Sequence, residues 1–199
     1  MCNLYRMTRT VDEVAHLFGV EAQPGGNAGG EVYPGYPGWV VGQNRMKTMT
    51  WGFPLALKGR DGRPLKPRPV NNTRTDKLGS GFWKASFERR RCLVPMTGFA
   101  EAEGAKGSKT RTWLSVPGED VFACAAIWRE SDEWGPVYSL VMTDASEAMQ
   151  GIHDRMPVIL TPETREQWLK GSPEEALGLC KPYSGELAID RTDQAWVGR

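Results

Sequence analysis

An α+β domain with a curved, largely antiparallel, barrel-like β core and peripheral helices is the fold class this sequence predicts. The β-rich runs Thr110–Val116, Val121–Trp128 and Val137–Met142 are short and joined by tight turns, which favours antiparallel pairing. Helical signals are brief, capped segments. They do not alternate with the strands as a βαβ fold would require. With 199 residues the chain suits one domain, 1–199, able to bury a substantial core.

Taken in order, Thr10-Val11-Asp12-Glu13 reads as a capping box, with Thr10 as N-cap and Glu13 reaching back. Val11, Val14, Ala15 and Phe18 share one helical face, and Gly19 supplies the stop. His16 falls on the other, solvated face. Residues 23 to 38 are dense in Gly and Pro and read as loop. Strands are expected at Trp39–Val41 and Met49–Trp51. Trp51-Gly52-Phe53-Pro54 then turns into a second Gly/Pro-rich, basic loop from Gly59 to Pro69. A short helix is expected over Phe82–Arg90, with Trp83 and Phe87 facing the core. Arg89-Arg90-Arg91 closes it, a favourable place for cations. Cys92-Leu93-Val94-Pro95 reads as a buried strand and Gly98–Ala102 as its return. Asp144–Gln150 is a short helix candidate and Pro157–Leu160 another strand. Thr161-Pro162-Glu163 and Ser172-Pro173-Glu174 open two helices of a helical C-terminal part, 161–199. After Pro182 the pattern is weak.

Charged residues at 25% and apolar ones at 40% are ordinary for a globular protein. No run of about 18 apolar residues exists, so no membrane span is expected. The N-terminus lacks the apolar core of a secretory signal, which points to the cytoplasm. Cys2, Cys92, Cys124 and Cys180 are widely spaced and read as free thiols. With only His16 and His153 beside them, no metal site is expected. Gly104–Thr110 lacks P-loop spacing and opens a strand, so no cofactor is implied. A monomer is expected. The net charge is only +1, but Lys58–Arg91 holds eleven basic and three acidic residues, a local +8. That excess suits phosphate contacts as well as it suits a solvated basic face.

Four residues stand out chemically. Removal of Met1, which precedes a small residue, would make Cys2 the N-terminus, with α-amine and thiol on adjacent carbons. Such a 1,2-aminothiol condenses with an aldehyde to an imine, and the thiol closes a thiazolidine ring. Asn72 adjoins the basic loop, Glu101 interrupts an apolar strand, and His153 sits in a charged island before another strand. Each also has a structural reading, as turn former, strand-face charge and hydrogen-bonder respectively.

Five blocks in order, Met1-Cys2, Trp51-Gly52-Phe53-Pro54, Asn72-Thr73-Arg74, Arg90–Glu101 and Ile152–Pro157, resemble the SRAP family, the SOS-response-associated peptidases or abasic-site-processing proteins. Arg-Cys-Leu-Val-Pro (91–95) and His-Asp-Arg-Met-Pro (153–157) are the most specific, and the match covers about residues 2–160. The resemblance implies that Cys2 crosslinks to abasic sites in single-stranded DNA, with Asn72, Glu101 and His153 completing the active site. It also implies a DNA channel lined by Trp51 and Arg74, with the basic residues Lys66, Arg68, Arg90 and Arg155. The chain departs from the family where Asn3-Leu4 replaces Gly-Arg, Thr73 replaces Ala, Asp76 replaces Glu and Ala102 replaces an aromatic. Two other functions fit parts of the sequence. An N-terminal-nucleophile amidohydrolase would use Cys2 but leave the basic segment unexplained. A non-covalent single-strand binder would use that segment but not Cys2.

Overall fold

The first strand, β1 (Tyr5–Met7), leads into α1 (Val11–Phe18), where the Thr10 capping box and a left-handed Gly19 both form. The computed structural model describes residues 2–23 and 28–196. Next come β2 (Glu21–Ala22), β3 (Gly30–Val32), β4 (Pro37–Val41), β5 (Arg45–Trp51), β6 (Phe53–Lys58) and β7 (Pro64–Val70). The middle of the chain forms β8 (Asn72–Arg74), α2 (Lys84–Arg89), β9 (Arg91–Met96), β10 (Gly98–Glu103) and β11 (Thr110–Ser115). Two long strands follow, β12 (Phe122–Ser131) and β13 (Gly135–Asp144). Then come β14 (Arg155–Pro157), β15 (Ile159–Leu160), α3 (Pro162–Lys170), α4 (Pro173–Gly178) and β16 (Ala188–Ala195).

β12, β9, β4 and β5 pair in that order as antiparallel neighbours, and β13 lies antiparallel to β12. The parallel contact of β13 with β5, Val137 to Thr50 and Tyr138 to Trp51, closes a ring of five strands. A second, wholly antiparallel sheet runs β16-β11-β10-β1-β3. Successive strand side chains point to opposite faces, so the ring feeds two cores. Val94, Met96, Cys124, Ala126, Leu140 and Met142 meet Tyr5, Phe99 and Leu114 of the second sheet. Leu93, Ala123, Ala125, Ile127 and Val141 instead meet Val14, Phe87 and Trp168 of the helices. Trp168 also donates its indole N–H to the Cys92 carbonyl at 2.8 Å, fixing α3 to the ring. The α+β class and the largely antiparallel barrel-like core are therefore as the sequence predicts. No helix is long and apolar enough to cross a membrane, among the described residues.

Several local expectations are corrected. Gly59–Pro69 is the end of a hairpin rather than a loop, with β6 and β7 paired from Phe53–Val70 to Lys58–Pro64. Pro64, Pro67 and Pro69, together with exposure of most of the hairpin, hide the alternation that marks a half-buried strand. β11 pairs with β10 and β16, so of the three β-rich runs only β12 and β13 are mutual partners. Asp144–Gln150 forms only a 3-10 turn, Glu147–Met149. In the segment read as loop, β3 and the start of β4 form, and residues 24–27 lie outside the described ones. The C-terminal part is not wholly helical, because 188–195 makes the edge strand β16. Its side chains are nearly all exposed, so backbone pairing alone defines it and no hydrophobic period announces it.

Candidate active site around Cys2

Cys2 is fully buried against both sheets. Its thiol donates to the Leu4 carbonyl at 3.4 Å. Its own carbonyl accepts two side-chain amides, Asn72 Nδ2 at 2.7 Å and Asn71 Nδ2 at 3.1 Å. Asn72 reaches it because β8 lies parallel to β13, with Asn72 opposite Leu140 at the end of the ring. Asn71 precedes that strand, so its side chain is not forced to the opposite face. It also donates to Asn3 Oδ1 at 3.1 Å, while its backbone carbonyl takes the Trp51 indole N–H at 2.9 Å. Asn72 is itself buried, and its Oδ1 has no hydrogen-bond partner among the described residues. A buried amide oxygen left unpaired is costly, and a site awaiting a donor is one reason to tolerate it.

Glu101, on β10 opposite Thr112, is 3% exposed. Burial raises its carboxyl to about 7, and the positive chain terminus only partly offsets this. The Cys2 thiol is pushed far up, first by burial and then by the Glu101 charge, which places the two groups together. His153 is half-buried after the Glu147–Met149 turn, and its Nδ1 accepts the Arg155 backbone N–H at 2.9 Å. That bond puts the neutral ring's proton on Nε2. Burial, then the positive terminus, lowers the His153 pKa, while Asp154 at 3.3 Å opposes them. Asp154, Lys109 and the chain terminus act on both Glu101 and His153, so these groups share one neighbourhood. Met1 lies outside the described residues.

The residues expected to line a DNA channel are placed less uniformly. Trp51 is fully buried, stacked 6.4 Å from Tyr138 and edge-on to Tyr5 at 5.1 Å. Enclosed in this way, its indole N–H holds the Asn71 carbonyl. Arg74 forms a bidentate pair with Asp76, both bonds 2.8 Å, on a half-exposed surface. Arg155 adjoins His153 and pairs with Asp144 at 3.3 Å. Lys66 and Arg68 are exposed on the β6–β7 hairpin. Arg90 is not grouped with Cys2: it caps α2 and lies 5.9 Å over the Trp128 ring.

Two contributors escape a sequence reading. Asn71 is half of an Asn-Asn doublet, a signal that was present but unreadable without knowing that β8 starts one residue later. Tyr5 and Tyr138 share a 2.5 Å hydroxyl–hydroxyl bond behind Trp51. Gly38 lies beside them because a Cβ there would overlap both hydroxyls. No cluster of three or more His, Cys, Asp or Glu able to hold a metal exists among the described residues, and all four cysteines are free thiols.

Comparison with known proteins gives a consistent picture. The family model described as SOS response associated peptidase (SRAP) matches residues 1–195. Abasic site processing protein YoqW of Bacillus subtilis is 26% identical over 210 residues, covering 94% of this chain and 89% of that protein. Abasic site processing protein HMCES of Xenopus tropicalis is 27% identical over 169 residues, covering 69% of this chain and 49% of its own. A solved structure from Bacteroides thetaiotaomicron superposes with a TM-score of 0.78 at 21% identity, covering 96% of this chain and 91% of that one. Another, from Bordetella bronchiseptica, also gives 0.78, at 15% identity, with 96% and 99% covered. At these identities the two structures show the shared fold.

Proposed function

Because this chain belongs to the SOS response associated peptidase family, we propose that it processes abasic sites in single-stranded DNA through a covalent bond to Cys2. The named relatives are abasic site processing proteins, and the same activity is proposed here. The observation that carries the reading is the grip of Asn71 and Asn72 on the Cys2 carbonyl, beside a carboxyl whose pKa lies near neutrality.

The chemistry begins with loss of Met1, which frees the Cys2 α-amine. An abasic deoxyribose is a cyclic hemiacetal. Neutral His153, its proton on Nε2, gives that proton to O4′ as the C1′–O4′ bond breaks, and Nε2 takes up the C1′ hydroxyl proton in return. The Cys2 amine adds to the C1′ aldehyde, and water leaves to give an imine. The thiol is protonated at neutral pH because burial raises its pKa. Its proton must therefore depart as sulfur bonds to C1′. Glu101, about half ionised at pH 7, can take that proton and return it on reversal. The Asn72 Oδ1 is available to an N–H of the freed amine or to a sugar hydroxyl. Closing the thiazolidine removes the imine that would promote strand cleavage, so the lesion is shielded.

Lys66 and Arg68 on the hairpin, with Arg74 and Arg155, are the proposed phosphate contacts. Arg74 would share its fork with Asp76. The protein is proposed to act as a monomer in the cytoplasm. An amidohydrolase attacking through a Cys2 thiolate fits less well, since burial disfavours that thiolate.

Incubation with single-stranded DNA bearing one abasic site, followed by heating and a denaturing gel, tests the proposal. A heat-stable protein–DNA band that is lost in Cys2→Ala is expected. Absence of that band with wild-type protein whose intact mass shows Met1 removed would refute it.

A further inference from the structure

A second concentration of unpaired cations lies away from Cys2, around Trp128. Lys47 Nζ sits 4.5 Å over the Trp128 ring, and the Arg90 guanidinium 5.9 Å over it. The position follows from the ring of strands. Arg45 and Lys47 open β5, whereas Trp51, which anchors Asn71, closes it. Four residues of strand separate Lys47 from Trp51, about 13 Å. The Trp128 backbone N–H donates to the Arg90 carbonyl at 2.9 Å, which ties the end of α2 to the same rim.

Beside Trp128 is a cavity of about 400 Å³ lined by Gln23, Gln43, Asn44, Arg45, Lys47 and, at its floor, Cys92, among others. Arg45, Lys47 and Arg90 have no ion pair among the described residues, whereas Arg74, Arg111, Arg155 and Arg165 each have a carboxylate within 4 Å. Two like charges over one aromatic ring, with Arg45 lining the cavity beside them and no counter-ion among the described residues, repel one another. A polyanion relieves that repulsion. Trp128 is only partly buried, so it can offer stacking surface if Lys47 swings from the ring to a phosphate.

We propose that this cavity, with Arg90 over the Trp128 ring beside it, is a second single-strand contact, in which Arg45, Lys47 and Arg90 hold phosphates and Trp128 stacks one base. Cations beside an aromatic face are the elements of sequence-tolerant single-strand binding. The pattern Arg45-x-Lys47 places both cations on one face of β5, as period 2 requires. The inference rests on single-stranded DNA as the partner, but not on the chemistry of Cys2. The same groups could take a free nucleotide, which shares base and phosphate with the strand.

The test uses the full chain and a fluorescent oligothymidylate of about twenty nucleotides without an abasic site, followed by anisotropy over a salt series. Each single-strand phosphate contact contributes about 0.7 to the slope of log K against log salt. The double variant Arg45→Ala/Lys47→Ala should therefore flatten the slope by about 1.4. Trp128→Phe should weaken binding several-fold while keeping the slope, and circular dichroism and thermal melting confirm that the variants fold. An unchanged slope in the folded double variant overturns the proposal. So does tight binding of dTMP or inorganic phosphate that the oligomer does not displace. Because this DNA carries no aldehyde, a failure here is separate from a failure to crosslink.

Discussion

Replacing Glu101 with Gln isolates the carboxyl that burial holds near neutrality. Its pKa is raised from 4.5 to about 7, chiefly by desolvation. At ~1.36 kcal/mol per pH unit that difference corresponds to about 3 kcal/mol against the ionised form. The folded chain keeps a proton that the unfolded chain releases above pH 4.5. The stabilising contribution of this group is therefore complete below pH 4.5 and is lost as pH rises through 7. Gln has no such proton and retains a similar shape. Thermal melts of both proteins at pH 4.5, 6 and 8 should show Glu101→Gln gaining on wild type by about 3 kcal/mol across the series. For a chain of this size that is roughly 6–12 °C in Tm. Taking the difference between the two proteins cancels the titrating groups that do not feel the Glu101 charge. A Tm gap equal at pH 4.5 and pH 8 would refute the assignment of a near-neutral carboxyl. The crosslinking rate should also lose its pH limb near 7 in the variant if Glu101 takes the thiol proton.

Other perturbations separate the roles further. Cys2→Ser keeps the amine, so it should give an adduct trapped by borohydride but no heat-stable band without it; a stable unreduced adduct would remove the need for sulfur. Asn71→Ala deletes one of two donors to the Cys2 carbonyl, a net loss of about 1 kcal/mol, so single-turnover crosslinking should slow about fivefold. An unchanged rate would leave Asn72 as the sole amide that matters. Gly38→Ala drives a methyl into the Tyr5 and Tyr138 hydroxyls and should cost about 1–3 kcal/mol in urea unfolding, partly recovered by adding Tyr138→Phe. Trp51→Phe loses the bond to Asn71 and should slow crosslinking, yet leave the salt slope of DNA binding unchanged, since the indole is uncharged and fully buried. A flatter slope would return Trp51 to the channel.

Elements defined by side-chain pattern were legible in advance. The Thr10 capping box, the helix opened at Ser172-Pro173-Glu174, the buried Trp83–Phe87 pair and the Cys92–Pro95 strand all rest on local spacing, and all form. Elements defined by backbone pairing were not. β16 and the β6–β7 hairpin expose most of their surface, so no alternation of polar and apolar residues betrays them. The same distinction holds in the candidate site. Cys2, Glu101 and His153 could be singled out because a reactive or charged residue stands against its local surroundings. Asn71 could not, because its role depends on where β8 begins and on Trp51 holding its carbonyl.

The sequence by itself therefore determined the chemical inventory: a cysteine at position 2, three polar groups between positions 72 and 153, and a basic middle segment. Tertiary structure alone decided their state. Burial raises the pKa values of both Glu101 and Cys2, and the Glu101 charge raises that of Cys2 further, effects that no linear spacing encodes. It also withdrew Trp51 into the core and left Lys47 and Arg90 uncompensated over Trp128, because strand closure between β5 and β13 fixes which side chains face solvent.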